Sequence, residues 1–272
     1  MFEKAGPAQS RSIGQMKPLR IESTLYEIEA WEVRLRNFLI LTVVATLLCS
    51  GANLQAQTRD TFEVSSLKAI RPTLEKTIAA LEKKDIAGAK AAFEAYDAAW
   101  NGVEVYINRR YIDRYNELEH GFQDRIEKGL ESATPDAAAL AADAKAMLAK
   151  FDETVAMIAK AQPLSPLYDD VARMRITRAP LRAVVPALKA GDVAKARASF
   201  LEFHNRWEPI EPLVEKRSHE KYEAIEKAVH DIMGAFQQDK PNVEQLTKMV
   251  NEMSLNYNLV LAELGKEAQA TK

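Results

Sequence analysis

The chain carries a single cysteine, Cys49, among its 272 residues. That residue lies in an N-terminal segment that reads as removed on export. The mature protein then has no disulfide, no thiolate nucleophile, no zinc–thiolate site and no covalent haem motif. Histidine is also scarce, with four in all. A zinc peptidase needs His-Glu-x-x-His, and His219-Glu220 lacks the second histidine. A ferritin-like di-iron centre needs two Glu-x-x-His motifs on separate helices; only Glu117–His120 fits. No Ser–His–Asp arrangement and no cofactor fingerprint stands out, so the chain reads as non-catalytic. The net charge is −2 and there is no basic stripe, which leaves no electrostatic case for nucleic acid. No apolar run reaches the ~20 residues of a membrane span, so none is expected in the mature chain.

What the N-terminus does contain is a signal-peptide layout. Arg34 and Arg36 precede an apolar run, Phe38–Leu48, and a small, polar tail ends at Ala56. Residues 33–56 are therefore expected to be a signal peptide, and the mature protein to be periplasmic or extracellular. Residues 1–32 are unusually acidic for such a leader. They read as a mis-assigned start, with translation beginning near Val33 or Leu35, or as a disordered extension.

The rest of the chain repeats itself. Ala89, Phe93, Tyr96, Trp100, Glu104, Arg110, Tyr115 and Glu119 recur 107 residues later as Ala196, Phe200, Phe203, Trp207, Glu211, Arg217, Tyr222 and Glu226. Downstream the offset becomes 106, as Pro135, Met147 and Phe151 match Pro241, Met253 and Tyr257. A residue deleted from the loop before Pro241 would account for the change. The expected organisation is helical repeat 1 over 57–161, a linker over 162–168 and helical repeat 2 over 169–272. The proline pair in Gln162–Pro166 favours an extended joint.

Apolar stripes at spacings of three and four, such as Leu67, Ile70, Leu74, Ile78 and Leu81, predict helix throughout. The fold class is all-α, a tandem duplication of a kinked helical bundle repeat. Asp85 and Asp192 are expected N-caps, and Thr134 is expected to cap the last helix of repeat 1. Breaks are expected near 106–111. The stretch Trp207-Glu-Pro-Ile-Glu-Pro212 is a poor helix interior, since each proline removes a donor at a cost of ~3 kcal/mol. Asn101-Gly102 sits at the same place in repeat 1 and is also a poor helix former. Both copies are thus expected to bend after the tryptophan.

Each copy places Glu104 or Glu211 one helical turn beyond a tryptophan, and Glu119 or Glu226 one turn beyond a tyrosine. A carboxylate at the edge of a core must be paired or bind something. Arg110 and Arg217 are candidate partners. Repeat 2 adds Glu208, Glu223 and His230. Carboxylates with an occasional imidazole suit iron, manganese or calcium. The candidate metal set is therefore Glu208, Glu211, Glu223, Glu226, His230, Glu104 and Glu119. The alternative is a structural or protein-interaction module whose glutamates bridge helices.

The segment 187–232, with its Ala-rich helix, its Trp-Glu-Pro-Ile-Glu-Pro turn and its Ile225-Glu226 pair, resembles the exported helical domain of bacterial FTR-type iron permeases. Repeat 1 keeps the tryptophan and second glutamate but lacks the first glutamate and both prolines. The resemblance implies an extracytoplasmic accessory in iron uptake, with iron as the ion and an inner-membrane iron permease or other envelope protein as partner. It points first to Glu208, Glu211 and Glu226. The Arg-Glu-x-x-Glu motif of the transport helices is absent.

Overall fold

The computed structural model describes residues 60–271. The expected start, the signal peptide and Cys49 lie outside them. Every regular element among the described residues is helical. The first half holds α1 (Phe62–Glu82), α2 (Ile86–Arg110), α3 (Ile112–Asn116), a π-helical segment (Glu117–Gln123), α4 (Asp124–Glu131) and α5 (Ala137–Lys160). The second holds α6 (Pro166–Lys189), α7 (Val193–Trp207), a 3₁₀ turn (Glu208–Ile210), α8 (Glu211–Glu215), α9 (His219–Phe236) and α10 (Val243–Ala270). No helix among them is long and apolar enough to cross a membrane.

Side-chain caps start most of the long helices. Asp85 and Asp192 accept from Gly88 and Lys195 as expected. The cap of α5 is Asp136, not Thr134; its carboxylate accepts from the amides of Ala138 and Ala139. A carboxylate reaching two orphan donors outcompetes a hydroxyl two residues earlier. The connection between halves is Gln162–Ser165, and Pro166 already opens α6 at a first-turn position where its missing donor costs nothing.

From Asp60 onward the chain is one compact unit, so the helices of both halves share a body. Within the first half α1 packs on α2 and α5; within the second α6 packs on α7 and α10. The seam is α2 against α6. Trp100, Trp207, Tyr96, Tyr257, Phe151 and Phe200 are all fully buried and anchor a continuous core.

The bend expected after Trp100 is not there. α2 runs unbroken through Asn101-Gly102 to Arg110, and the break expected within 106–111 falls at Tyr111 alone. Gly102 serves the seam instead. A Cβ there would stand 2.7 Å from the Ile176 side chain and 3.4 Å from its Cα. The glycine lets α6 approach α2 where a side chain would hold it off. In the second half the interruption is real. α7 stops at Trp207, and Pro209 and Pro212 each fall in the first turn of the short helix that follows. There the missing N–H is an orphan donor anyway. Inside α6, Pro180 withholds a hydrogen bond from the Ile176 carbonyl, four residues back. The Arg206 guanidinium of α7 supplies that bond at 2.9 Å.

The change of offset does not lie in the loop. Buried positions run Leu118, Gln123, Ile126, Leu130 in the first half and Ile225, Val229, Ile232, Phe236 in the second. The first gap is five residues against four, and it falls inside the π segment. One extra residue between Glu119 and Gln123 widens the helix by one residue per turn, which is what a π segment is.

Candidate functional site

Each half builds the same bracket. Trp100 is fully buried and its indole Nε1 donates to the Glu119 carboxylate. Trp207, equally buried, donates to Glu226 Oε2 at 2.9 Å. The tryptophan lies within α2 in the first half and ends α7 in the second, and the glutamate comes from the helical segment that returns beside it. A buried indole N–H needs an acceptor, and a half-buried carboxylate needs a donor.

Arg110 and Arg217 do not serve these glutamates, contrary to expectation. Arg110 pairs with Glu63 at the start of α1, and one of its nitrogens donates to the Gln162 carbonyl at 2.6 Å. Arg217 pairs with Asp170 at 3.1 Å, at the start of α6. Glu63 and Asp170 are themselves 107 residues apart, so the pairing as well as the arginine is shared by the halves. Both arginines sit near the ends of their segments and reach the helix that begins the same half, which keeps them away from the brackets.

Around the first bracket the carboxylates are closed off. Glu104 accepts from Arg175 of α6 at 2.8 Å, across the seam. Glu119 also accepts from Gln123 Nε2 at 3.3 Å, and the same nitrogen donates to Asp97 Oδ1 at 3.0 Å. Burial pushes the Asp97, Glu104 and Glu119 carboxyls above their ordinary values. Arg182 opposes the rise at Asp97, Arg175 at Glu104 and the Trp100 bond at Glu119.

The second bracket is open. Glu226 faces His230 Nε2 at 3.1 Å, and that imidazole is 73% exposed. Glu211, the counterpart of Glu104, is half-buried and has no hydrogen bond or ion pair among the described residues. Burial pushes its carboxyl up, and Glu226 and Glu208 push it further. Among the described residues no Lys or Arg pairs with it, whereas α6 supplies Arg175 to Glu104. Glu208 is exposed beside His204 at 3.9 Å. Glu223 faces His219 at 3.2 Å, at the exposed start of α9.

The predicted residues are thus divided, Glu104 and Glu119 in the first half, Glu208, Glu211, Glu226 and His230 in the second, and Glu223 apart from these against His219. Among the described residues no group of three or more His, Cys, Asp or Glu stands placed to hold a metal ion. The Glu211 and Glu226 end offers an open pair of carboxylates with an imidazole behind one of them. Sequence reasoning missed Glu63, Asp97, Gln123, Asp170 and Arg175. The shared spacing of Glu63 and Asp170 could have revealed that pair; Arg175 could be placed only by knowing the seam. No protein-family model, curated protein or solved structure matches the chain.

Proposed function

We propose that the chain is an exported, non-catalytic accessory of metal uptake, with iron as its cargo, built by tandem duplication. Its second copy presents Glu211 and Glu226 to a cation or to a cationic face of a transport partner. The observation that carries this reading is the unanswered charge of Glu211. Burial raises both carboxyls, but Glu104 is paired with Arg175, whereas Glu211 has no such partner among the described residues, is raised further by Glu226 and Glu208, and is opposed by His204. A charge so placed is relieved by a cation from outside. The resemblance of 187–232 to the permease-linked domain supports iron. The shared brackets and the shared Glu63–Arg110 and Asp170–Arg217 pairs support duplication.

Two carboxylates leave most of an ion's coordination to water or to a partner. Affinity should then be weak, with a dissociation constant on the order of 0.1–1 mM, as for sparsely ligated hard-cation sites. Weak capture suits a component that passes its cargo on. Calorimetric titration with ferrous, manganous and ferric citrate solutions tests this. Heat is expected, lost in Glu211→Gln and Glu226→Gln and kept in Glu104→Gln. Absence of heat for every ion, or heat that survives both variants, overturns it. The second reading, an interaction module without ligand, draws on the Glu104–Arg175 bridge and gains if no heat is seen.

A further inference from the structure

Arg71 of α1 recurs as Arg178 of α6, 107 residues on, in different surroundings. In the first half two carboxylates hold it. Its Nε and Nη2 donate to Asp152 of α5 at 2.8 and 2.9 Å, and its Nη1 donates to Glu75, one turn along α1. These bonds hold the guanidinium well above its ordinary value. The second half has neither acid. Asp152 corresponds to Asn258 at the offset of 106, and Glu75 to Arg182 at the offset of 107. The contact across helices is kept, with Arg178 Nη1 donating to Asn258 Oδ1 at 2.8 Å, but the acceptor is now neutral. The neighbour one turn along is now a like charge. Burial lowers the Arg178 guanidinium, and Arg182 and Arg175 lower it further; Tyr257 and Glu104 oppose them.

Arg175, Arg178 and Arg182 follow at spacings of three and four and so share one face of α6. They line a cleft of about 430 Å³ against Glu94, Asp97 and Asn101 of α2. Arg175 is engaged by Glu104 at 2.8 Å. Arg178 and Arg182 form no ion pair among the described residues. Asp97 attracts Arg182 across the cleft, but its carboxylate already accepts from Asn101 at 3.3 Å and from Gln123 at 3.0 Å. Arg178 is half-buried and Arg182 exposed, so a ligand entering the cleft from solvent can reach both. A partly buried guanidinium needs a counter-charge. The first half supplies it twice from within, and the second half leaves a cleft where it would stand.

We propose that this cleft binds a small dicarboxylate, whose two carboxylates stand in for Asp152 and Glu75 of the other half. One end meets Arg178 and the other Arg182. These arginines are one turn apart, with stems about 6 Å from each other, a span that a short carbon chain between two carboxylates covers. A guanidinium matches a carboxylate through two parallel donors, as Arg71 does with Asp152. The cleft is of the size of small-molecule sites, about 300–1,000 Å³. Glu94 and Asp97 on the opposite wall limit how much negative charge it accepts, which favours a dicarboxylate over a polyphosphate. These residues are separate from Glu211 and Glu226, so this proposal and the preceding one can fail independently.

The test is calorimetric titration of the full chain with succinate and with glutarate, set against acetate and sulfate, at physiological salt. One saturable site is expected for the dicarboxylates, with acetate and sulfate at least tenfold weaker. Asn258→Asp and Arg182→Glu each install the residue of the first half and so fill the site from within. Each should weaken binding at least tenfold with helicity unchanged by circular dichroism. Both recreate an ion pair that Arg71 already makes, so neither variant is expected to unfold the protein. Glu211→Gln should change nothing. Absence of dicarboxylate binding at millimolar concentration, binding that survives Asn258→Asp and Arg182→Glu, or sulfate binding as tightly as succinate overturns the proposal.

Discussion

Gly102→Ala sets two effects of known size against each other. Gly102 lies in the middle of a helix, where alanine gains about 0.5–1 kcal/mol over glycine. The added methyl would meet the Ile176 side chain at 2.7 Å, with the Ile176 backbone only 3.4 Å away. Ile176 cannot swing clear, because its backbone is fixed in α6 and its carbonyl is held by Arg206. Overpacking of this kind costs about 1–3 kcal/mol. The net expectation is a loss of about 0–2 kcal/mol, a drop in Tm of several degrees for a domain of this size. The molecule supplies its own control. Gly265, within α10, has nothing within 4 Å of a built Cβ. Gly265→Ala should therefore raise stability by about 0.5–1 kcal/mol. Urea denaturation followed by circular dichroism measures both. The reasoning is refuted if Gly102→Ala stabilises as much as Gly265→Ala, or if the double variant Gly102→Ala with Ile176→Ala shows no coupling.

Two further outcomes follow from the charges. The Glu63–Arg110 pair is almost wholly buried, with side chains 4% and 9% exposed, while Asp170 and Arg217 are 29% and 21% exposed. Glu63→Gln should cost about 3–5 kcal/mol, because it strands a buried guanidinium, and Asp170→Asn no more than about 1 kcal/mol; equal losses in urea melts would contradict this. Asp97 has a folded-state carboxyl raised by burial. A raised carboxyl means the folded state holds its proton longer, so its contribution to stability is present at low pH and is lost as pH rises through the folded value. Asp97→Asn should then gain on the parent at pH 7 and lose that advantage near pH 4, and a difference independent of pH would refute the assignment.

The helices were legible because apolar spacing is a local property and core packing agrees with it at Leu67, Leu74 and Leu81. The brackets were half legible. The recurrence of Trp100 with Glu119 and Trp207 with Glu226 was plain, but the link between them passes across two helices, and only folding shows that the indole donates to the carboxylate. Asn101-Gly102 misled for a physical reason. Glycine marks either a bend or a close approach, and sequence cannot distinguish them when the approaching helix belongs to the other half. The π segment was hidden likewise, since an extra residue leaves the same trace in an alignment whether a loop or a helix absorbs it. Arg175 was illegible because its partner Glu104 lies across a seam that no periodicity encodes.

The seam joins unlike surfaces: the second long helix of one half meets the first long helix of the next. Contacts of this head-to-tail kind do not close on themselves and would extend into a filament if each unit offered both surfaces. In the first half the α2 side of the seam extends past Trp100, where Gly102 meets Ile176, Glu104 meets Arg175 and Tyr106 donates to Asp169. In the second half that stretch is Glu208-Pro-Ile-Glu-Pro212, and α7 has already ended at Trp207. The prolines therefore act as an end stop, the counterpart of the capping repeat that keeps a solenoid finite. Replacing Glu208–Pro212 with Asn-Gly-Val-Glu-Val, the sequence of the first half, should restore a long helix and make the protein associate as its concentration rises. A chimera that stays monomeric in sedimentation would show that the break serves only the carboxylates beside it.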